Sequence, residues 1–171
     1  MDNIKDPWVI SPFWTEQRYR EVMNTINSLG KDDWAYEPGA NRYIVAGKYF
    51  DKLSMFELDR ARKEFDNENL LYTYSLIALY NQENSKLDPH YDDNACTYTF
   101  DICLYSEKPW PIVIEDKEYT LSKNEAVCFY GEDQYHWRPE FTPGNRVLMM
   151  FMHFADRDHW YFQPNKIGGI Q

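Results

Sequence analysis

The spacing of apolar positions changes partway along the chain. Thr15 precedes "EQRYREVMNTINSL", where Tyr19, Val22, Met23 and Ile26 recur at helical spacing, and Gly30 is placed to stop the helix. A second helix is predicted from Ser54, with Glu57 three residues on as a capping box. It should run through "MFELDRARKEF" and bury Met55, Phe56, Leu58, Ala61 and Phe65. Residues 31–53, rich in Gly, Asp, Asn and Tyr, read as loop with short extended pieces. From about residue 70 the period becomes two. "LLYTYSLIALY", "ACTYTFDICLY", "PIVI", "EYTL", "EAVCFY" and "RVLMMFMHF" read as strands separated by turn material such as "SEKPWP", "EDK" and "TPGN", and "HWYF" as one more. Helices followed by short strands with tight connections predict a mainly β fold, a sandwich or small barrel with flanking α-helices outside. No linker or repeat divides the chain. A single domain over residues 1–171 is expected, with 1–69 as helical support and 70–162 as the β-barrel core.

Composition narrows the function classes. The 171 residues suffice for one sizeable core, and 18 % aromatic content argues against disorder. A net charge of −10 without a basic stripe disfavours nucleic acid as a partner, because phosphate neutralisation needs clustered Lys and Arg. Cys96, Cys103 and Cys128 are odd in number, lack CxxC spacing and sit in apolar runs, so buried free thiols are expected. The N-terminus shows no secretory pattern and no apolar run reaches the roughly 20 residues of a membrane span. A cytoplasmic protein without membrane contact follows by default.

Candidate chemistry centres on the four histidines. In "PHYDDNACTYTFDICLY", an extended backbone at residues 90–92 would place His90 and Asp92 on one face, offering one imidazole and one carboxylate. Those are two of the three ligands of a 2-His-1-carboxylate facial triad. An Asp-capped polar turn explains the same residues without a metal. His136 is the best-placed second imidazole, following the apolar strand "EAVCFY" 46 residues after His90. His153 in "MMFMHF" reads more simply as a satisfied strand histidine, and His159 as structural. Ten residues beyond His136, Arg146 opens an almost wholly apolar strand. An arginine facing a barrel interior needs an anion, and its planar fork suits a carboxylate; an arginine ending a turn simply faces solvent.

The set His90-x-Asp92, His136 and Arg146, with Pro143-Gly144-Asn145 turning into the last strand, resembles the Fe(II)- and 2-oxoglutarate-dependent dioxygenases, in particular small prolyl-hydroxylase-like members. The resemblance spans roughly residues 70–154. It implies a double-stranded β-helix, a jelly-roll or cupin-like barrel. It also implies Fe(II) held by His90, Asp92 and His136, with 2-oxoglutarate and O2 as cosubstrates. Arg146 would bind the distal carboxylate of 2-oxoglutarate, with Arg138 in "HWR" as a rival. Tyr80 would assist, with Tyr98 and Tyr105 as alternatives. The implied reaction is hydroxylation of a C–H with release of succinate and CO2, and the carboxylate ligand Asp92 argues against halogenation. The chain departs from the family in lacking a hydroxyl in Arg146-Val147-Leu148 and in having "SEKPWPIVI" where a Gly-Gly is frequent.

Two other readings remain open from the sequence. One is a cupin-type metalloenzyme working without 2-oxoglutarate. The other is a non-catalytic jelly-roll module that binds through exposed tryptophans such as Trp110, Trp137 or Trp160. The expected substrate is an amino acid, a peptidyl side chain or another small metabolite, by analogy alone.

Overall fold

The computed structural model describes residues 4–163. A short strand, β1 (Trp8–Ile10), enters first, followed by α1 (Glu16–Asn27). Thr15 caps α1, its hydroxyl accepting from the Arg18 amide at 3.3 Å. Tyr19, Val22 and Ile26 form the buried stripe the spacing predicts. The helix ends one turn before Gly30, which instead caps a 3-10 turn at Lys31–Asp33. The segment expected to be loop contains β2 (Ala35–Glu37) and β3 (Arg42–Val45).

The second helix differs from expectation. It is two helices, α2 (Lys48–Phe56) and α3 (Leu58–Glu64), and Ser54 lies inside α2 with its hydroxyl donating to Phe50 O. Glu57 is not a capping-box partner. It is buried, accepting from Trp14 Nε1 at 2.8 Å and pairing with Arg60 at 3.0 Å. Met55 and Phe56, expected in the core, lie at the break between the helices and are 60 % and 74 % exposed.

The remaining strands are β4 (Leu70–Tyr80), β5 (Leu87–His90), β6 (Tyr98–Ser106), β7 (Ile112–Ile114), β8 (Lys117–Tyr119), β9 (Glu125–Phe129), β10 (His136–Arg138) and β11 (Val147–Asp156). Two antiparallel sheets result, ordered β1-β9-β6-β11-β4-β3-β2 and β5-β10-β7-β8. This is a mainly β jelly roll, and among the described residues no strand pairing joins the sheets into a closed barrel. "HWYF" is a 3-10 turn at Trp160–Phe162 rather than a strand, with the His159 imidazole accepting from the Tyr161 amide.

The central strands of the large sheet are covered on both faces. Phe100, Ile102 and Leu104 of β6 and Leu148, Met150, Met152 and Phe154 of β11 pack with the helices. The alternate residues, including Cys103, Val147 and Met149, pack toward the small sheet. That alternation leaves Thr99, Asp101 and His153, all buried, as polar groups in phase with the inter-sheet layer. Cys96, Cys103 and Cys128 are buried free thiols. Among the described residues no helix is long and apolar enough to cross a membrane.

Candidate metal centre

The site forms where β5 meets β10. His136 pairs directly with His90 across the antiparallel ladder, which brings their rings to 4.3 Å between centroids. β5 is the outer strand of its sheet, so Pro89 removes an N–H where its loss is tolerated. The chain leaves the strand at His90, and Asp92 is fixed by its amide donating to Gly131 O at 2.8 Å. Asp93 to Cys96 then make the turn, the Cys96 amide donating to Asp93 O.

Local bonding sets the imidazole tautomers. His90 Nδ1 lies 2.7 Å from Asp88 O, and His136 Nδ1 lies 2.8 Å from Gln134 O. A carbonyl only accepts, so each Nδ1 carries the proton and each Nε2 is left to face the site. Asp92 Oδ1 stands 3.4 Å from His90 Nε2 and 3.5 Å from His136 Nε2. Three acceptors thus converge, with ligand atoms all within 4.8 Å of one another. Either a proton or a cation must sit among them. Burial alone would raise the Asp92 carboxyl, but the imidazoles of His136 and His90 outweigh it and hold it well below the usual carboxylate range. His90 is raised, chiefly by its bond to Asp92. Two imidazole nitrogens and a carboxylate oxygen fit Fe(II), and the outer bonds to backbone carbonyls are those expected of metal-ligating histidines.

A second convergent set, Asp92, Cys96 and His153, shares the carboxylate. Its thiol is pushed up to about 12 by burial and is bonded to the Tyr74 hydroxyl at 2.8 Å. Burial also lowers His153 to about 4, and its Nδ1 meets Thr99 Oγ1 at 3.0 Å. The first set needs no thiol deprotonation to receive a cation, which makes it the better candidate metal centre.

Gly131 is needed by close approach. A Cβ built there would lie 2.3 Å from Asp92 Oδ2 and 2.5 Å from Cys96 O. Gly131→Ala must therefore displace the Asp92 loop. The expected result is a roughly 10–100-fold loss of divalent-metal affinity, the range for disturbing an outer partner of a ligand, measured by Co(II) titration of the folded variant.

A cavity of about 100 Å³ opens beside the three ligands and is also bordered by Asp101, Arg42 and Phe151. The other sequence-predicted residues distribute unevenly around it. Arg146 is exposed, shares the outer phase of β11 with Leu148, and borders a groove against Met23 and Ile26 of α1. Val147 takes the inward position. Tyr80 is fully buried between the sheets, and its hydroxyl accepts from Arg42, which also pairs with Glu37. Tyr98 bonds to Asp156 and Asn67 away from the cavity, and Tyr105 is exposed on the groove beside Arg146. Arg138, two residues from His136, points into the inter-sheet layer and pairs with Asp101 at 2.7 Å. Sequence reasoning missed Arg42 and Asp101. The signal for Asp101 was a lone acid inside the apolar run "YTFDICLY"; Arg42 lay in a segment read as loop.

Fold and site together define a jelly-roll protein with a His-Asp-His group, able to hold a cation, lining the inter-sheet cavity. No family model matches the sequence, and no curated protein does. Solved structures do match in fold. An oxidoreductase of the 2OG-Fe(II) oxygenase family from Burkholderia pseudomallei aligns at a TM-score of 0.69 and 6 % identity, over 90 % of this chain and 86 % of that one. HygX from Streptomyces hygroscopicus, solved with nickel, 2-oxoglutarate and hygromycin B, gives 0.67 and 12 %, over 90 % and 85 %. A prolyl hydroxylase from Trichoplax adhaerens, in complex with a hypoxia inducible factor oxygen degradation domain peptide fragment, gives 0.68 and 12 %, over 93 % and 86 %. The chain has the fold of the 2OG-Fe(II) oxygenases.

Proposed function

We propose that the protein is an Fe(II)- and 2-oxoglutarate-dependent oxygenase that hydroxylates a C–H of an amino acid, a peptidyl side chain or a small metabolite. The observation that carries this reading is the convergence of His90 Nε2, His136 Nε2 and Asp92 Oδ1, with both Nδ1 atoms committed to backbone carbonyls. Bound there, Fe(II) with 2-oxoglutarate and O2 would supply oxidation of the substrate C–H with release of succinate and CO2. The chain's own residues do the rest. Gly131 O and the 93–96 turn hold Asp92, and β10 sets His136 opposite His90. Phe129 and Phe151 give the cavity apolar walls that restrict water near the ligands. Arg138, which stands behind the cavity wall through its bond to Asp101, is the guanidinium assigned to the distal carboxylate of 2-oxoglutarate, because Arg146 lies on the opposite face of the sheet. The folds that carry a small molecule in HygX and a peptide in the Trichoplax enzyme support either kind of substrate.

Anaerobic titration tests the class. A weak visible charge-transfer band should require Fe(II) and 2-oxoglutarate together, and succinate release should follow on admitting O2. Arg146→Ala should leave the 2-oxoglutarate affinity within about twofold and stability within about 0.5 kcal/mol, as for other surface changes. A tenfold or greater loss in that variant would return the anchor to Arg146. One observation favours a metalloenzyme without 2-oxoglutarate: Arg138 is already engaged by Asp101. Metal binding indifferent to 2-oxoglutarate would establish that alternative.

A further inference from the structure

The Arg138–Asp101 pair is incomplete in a specific way. Arg138 Nη2 donates to Asp101 Oδ2 at 2.7 Å, and Nη1 donates to Trp110 O at 2.7 Å. Arg138 Nε and Asp101 Oδ1 are buried without a hydrogen-bond partner among the described residues. Both side chains are almost wholly removed from solvent, at 2 % and 0 % exposure. Orphaned buried polar atoms are costly, and they mark a place where a ligand or water completes the bonding. Asp101, and not Arg138, borders the cavity beside the metal ligands. An anion entering the cavity therefore meets the Asp101 carboxylate first, with the guanidinium bonded behind it.

Two carboxylates in a dry cavity at hydrogen-bond distance do not both stay ionised, and they share a proton. We propose that the distal carboxylate of the cosubstrate binds with uptake of one proton from solvent, held between that carboxylate and Asp101 Oδ1 while Arg138 anchors the pair. This rests on the 2-oxoglutarate reading above and makes Asp101 a specificity-determining residue. The same bond recognises a dicarboxylic 2-oxo acid and gives nothing to one ending in a methyl group.

The surroundings agree with it. Asp101 is raised above the ordinary carboxylate range by burial; Arg138 and His136 on β10 pull it down, and Asp92 pushes it up. Tyr80 on β4, also raised by burial, and Cys103, two residues along β6 and pushed up to about 12, stay neutral. Arg42 on β3 borders the same cavity but is engaged by Glu37 and Tyr80.

Calorimetric titration of 2-oxoglutarate into the Ni(II)-loaded protein, without turnover, tests this. Runs at each pH between about 6 and 9, in buffers of different ionisation enthalpy, count the protons taken up. The expected result is about one proton at the alkaline end, with affinity falling about tenfold per pH unit there. Asp101→Asn keeps an acceptor for Arg138 and supplies its own N–H to the ligand, so uptake should vanish and the pH profile should flatten. 2-Oxobutyrate should bind without proton uptake. Wild-type binding of 2-oxoglutarate with no net uptake overturns the proposal, as does uptake that persists in Asp101→Asn. No binding of 2-oxoglutarate at any pH by protein that holds Ni(II) overturns the cosubstrate reading itself, and the proposal with it. The wild-type proton count stands without the variant.

Discussion

Asp92→Ala is expected to abolish Fe(II) binding, lowering affinity by more than about 100-fold, beyond the roughly 10–100-fold cost of losing an outer partner of a ligand. The reason is charge as well as coordination. Two neutral imidazoles remain, and the anion that offsets the cation's charge is gone. Asp92 stays ionised through the physiological range because His136 and His90 stabilise its anion against the cost of burial. His90 is the ligand that protons contest, since its raised value favours the imidazolium when no metal is present. Metal affinity in the wild-type protein should therefore fall as pH drops through the His90 titration, because binding must release that proton. Equilibrium titration with Co(II), at neutral pH and about two units lower, measures both effects. Retention of wild-type affinity in Asp92→Ala would remove the carboxylate from the site. A His90→Ala or His136→Ala variant should lose affinity similarly, and near-native far-UV dichroism would separate that loss from unfolding.

The candidate metal ligands were legible because residue type and spacing pick out the residues that the fold brings together. His90, Asp92 and His136 carry the donor atoms, and a jelly roll folds the segment after "EAVCFY" back onto the segment before "CTYTF". The mechanism of convergence differed from the extended backbone that period two suggests. The strand stops at His90, and Asp92 is placed by the Gly131 carbonyl. Arg146 faces away from the cavity for a physical reason. A strand's first residue has no visible phase, and a one-residue slip moves a side chain to the other face. Gly144, at φ +70°, turns the chain so that Val147 enters the inter-sheet layer and Arg146 faces α1. The second helix failed because Ser54 and Glu57 have cap spacing by coincidence, while Glu57 is committed to Trp14 and Arg60. β1, β5 and β10, three or four residues each, were missed as strands, although the equally short β7 and β8 were read from "PIVI" and "EYTL". The Asp101–Arg138 contact joins strands of different sheets, and nothing local in either segment names its partner.

That contact makes the second large prediction, on stability. Removing one member of a buried pair typically costs about 3–5 kcal/mol, because the remaining charge is left unpaired. The two halves should not be equal. In Arg138→Met the orphaned Asp101 can take up a proton and become a neutral group. In Asp101→Leu the guanidinium cannot shed its charge, so that variant should be the less stable of the two. For a chain of this length, about 4 kcal/mol corresponds to a fall in Tm of roughly 10 °C. The double variant Arg138→Met/Asp101→Leu should recover most of the loss, since apolar residues of similar volume often replace a buried pair at little cost. The sign of the pH dependence adds an independent check. In Arg138→Met the folded state holds a proton on Asp101 that the unfolded chain releases above about pH 4. Stability should then decline as pH rises from there to the folded value, by about 1.4 kcal/mol per unit, whereas the double variant should show no such slope. Urea unfolding followed across that range measures all three chains. Equal stability of the two single variants at every pH would show that water reaches the pair. The inter-sheet cavity would then not be dry at Asp101.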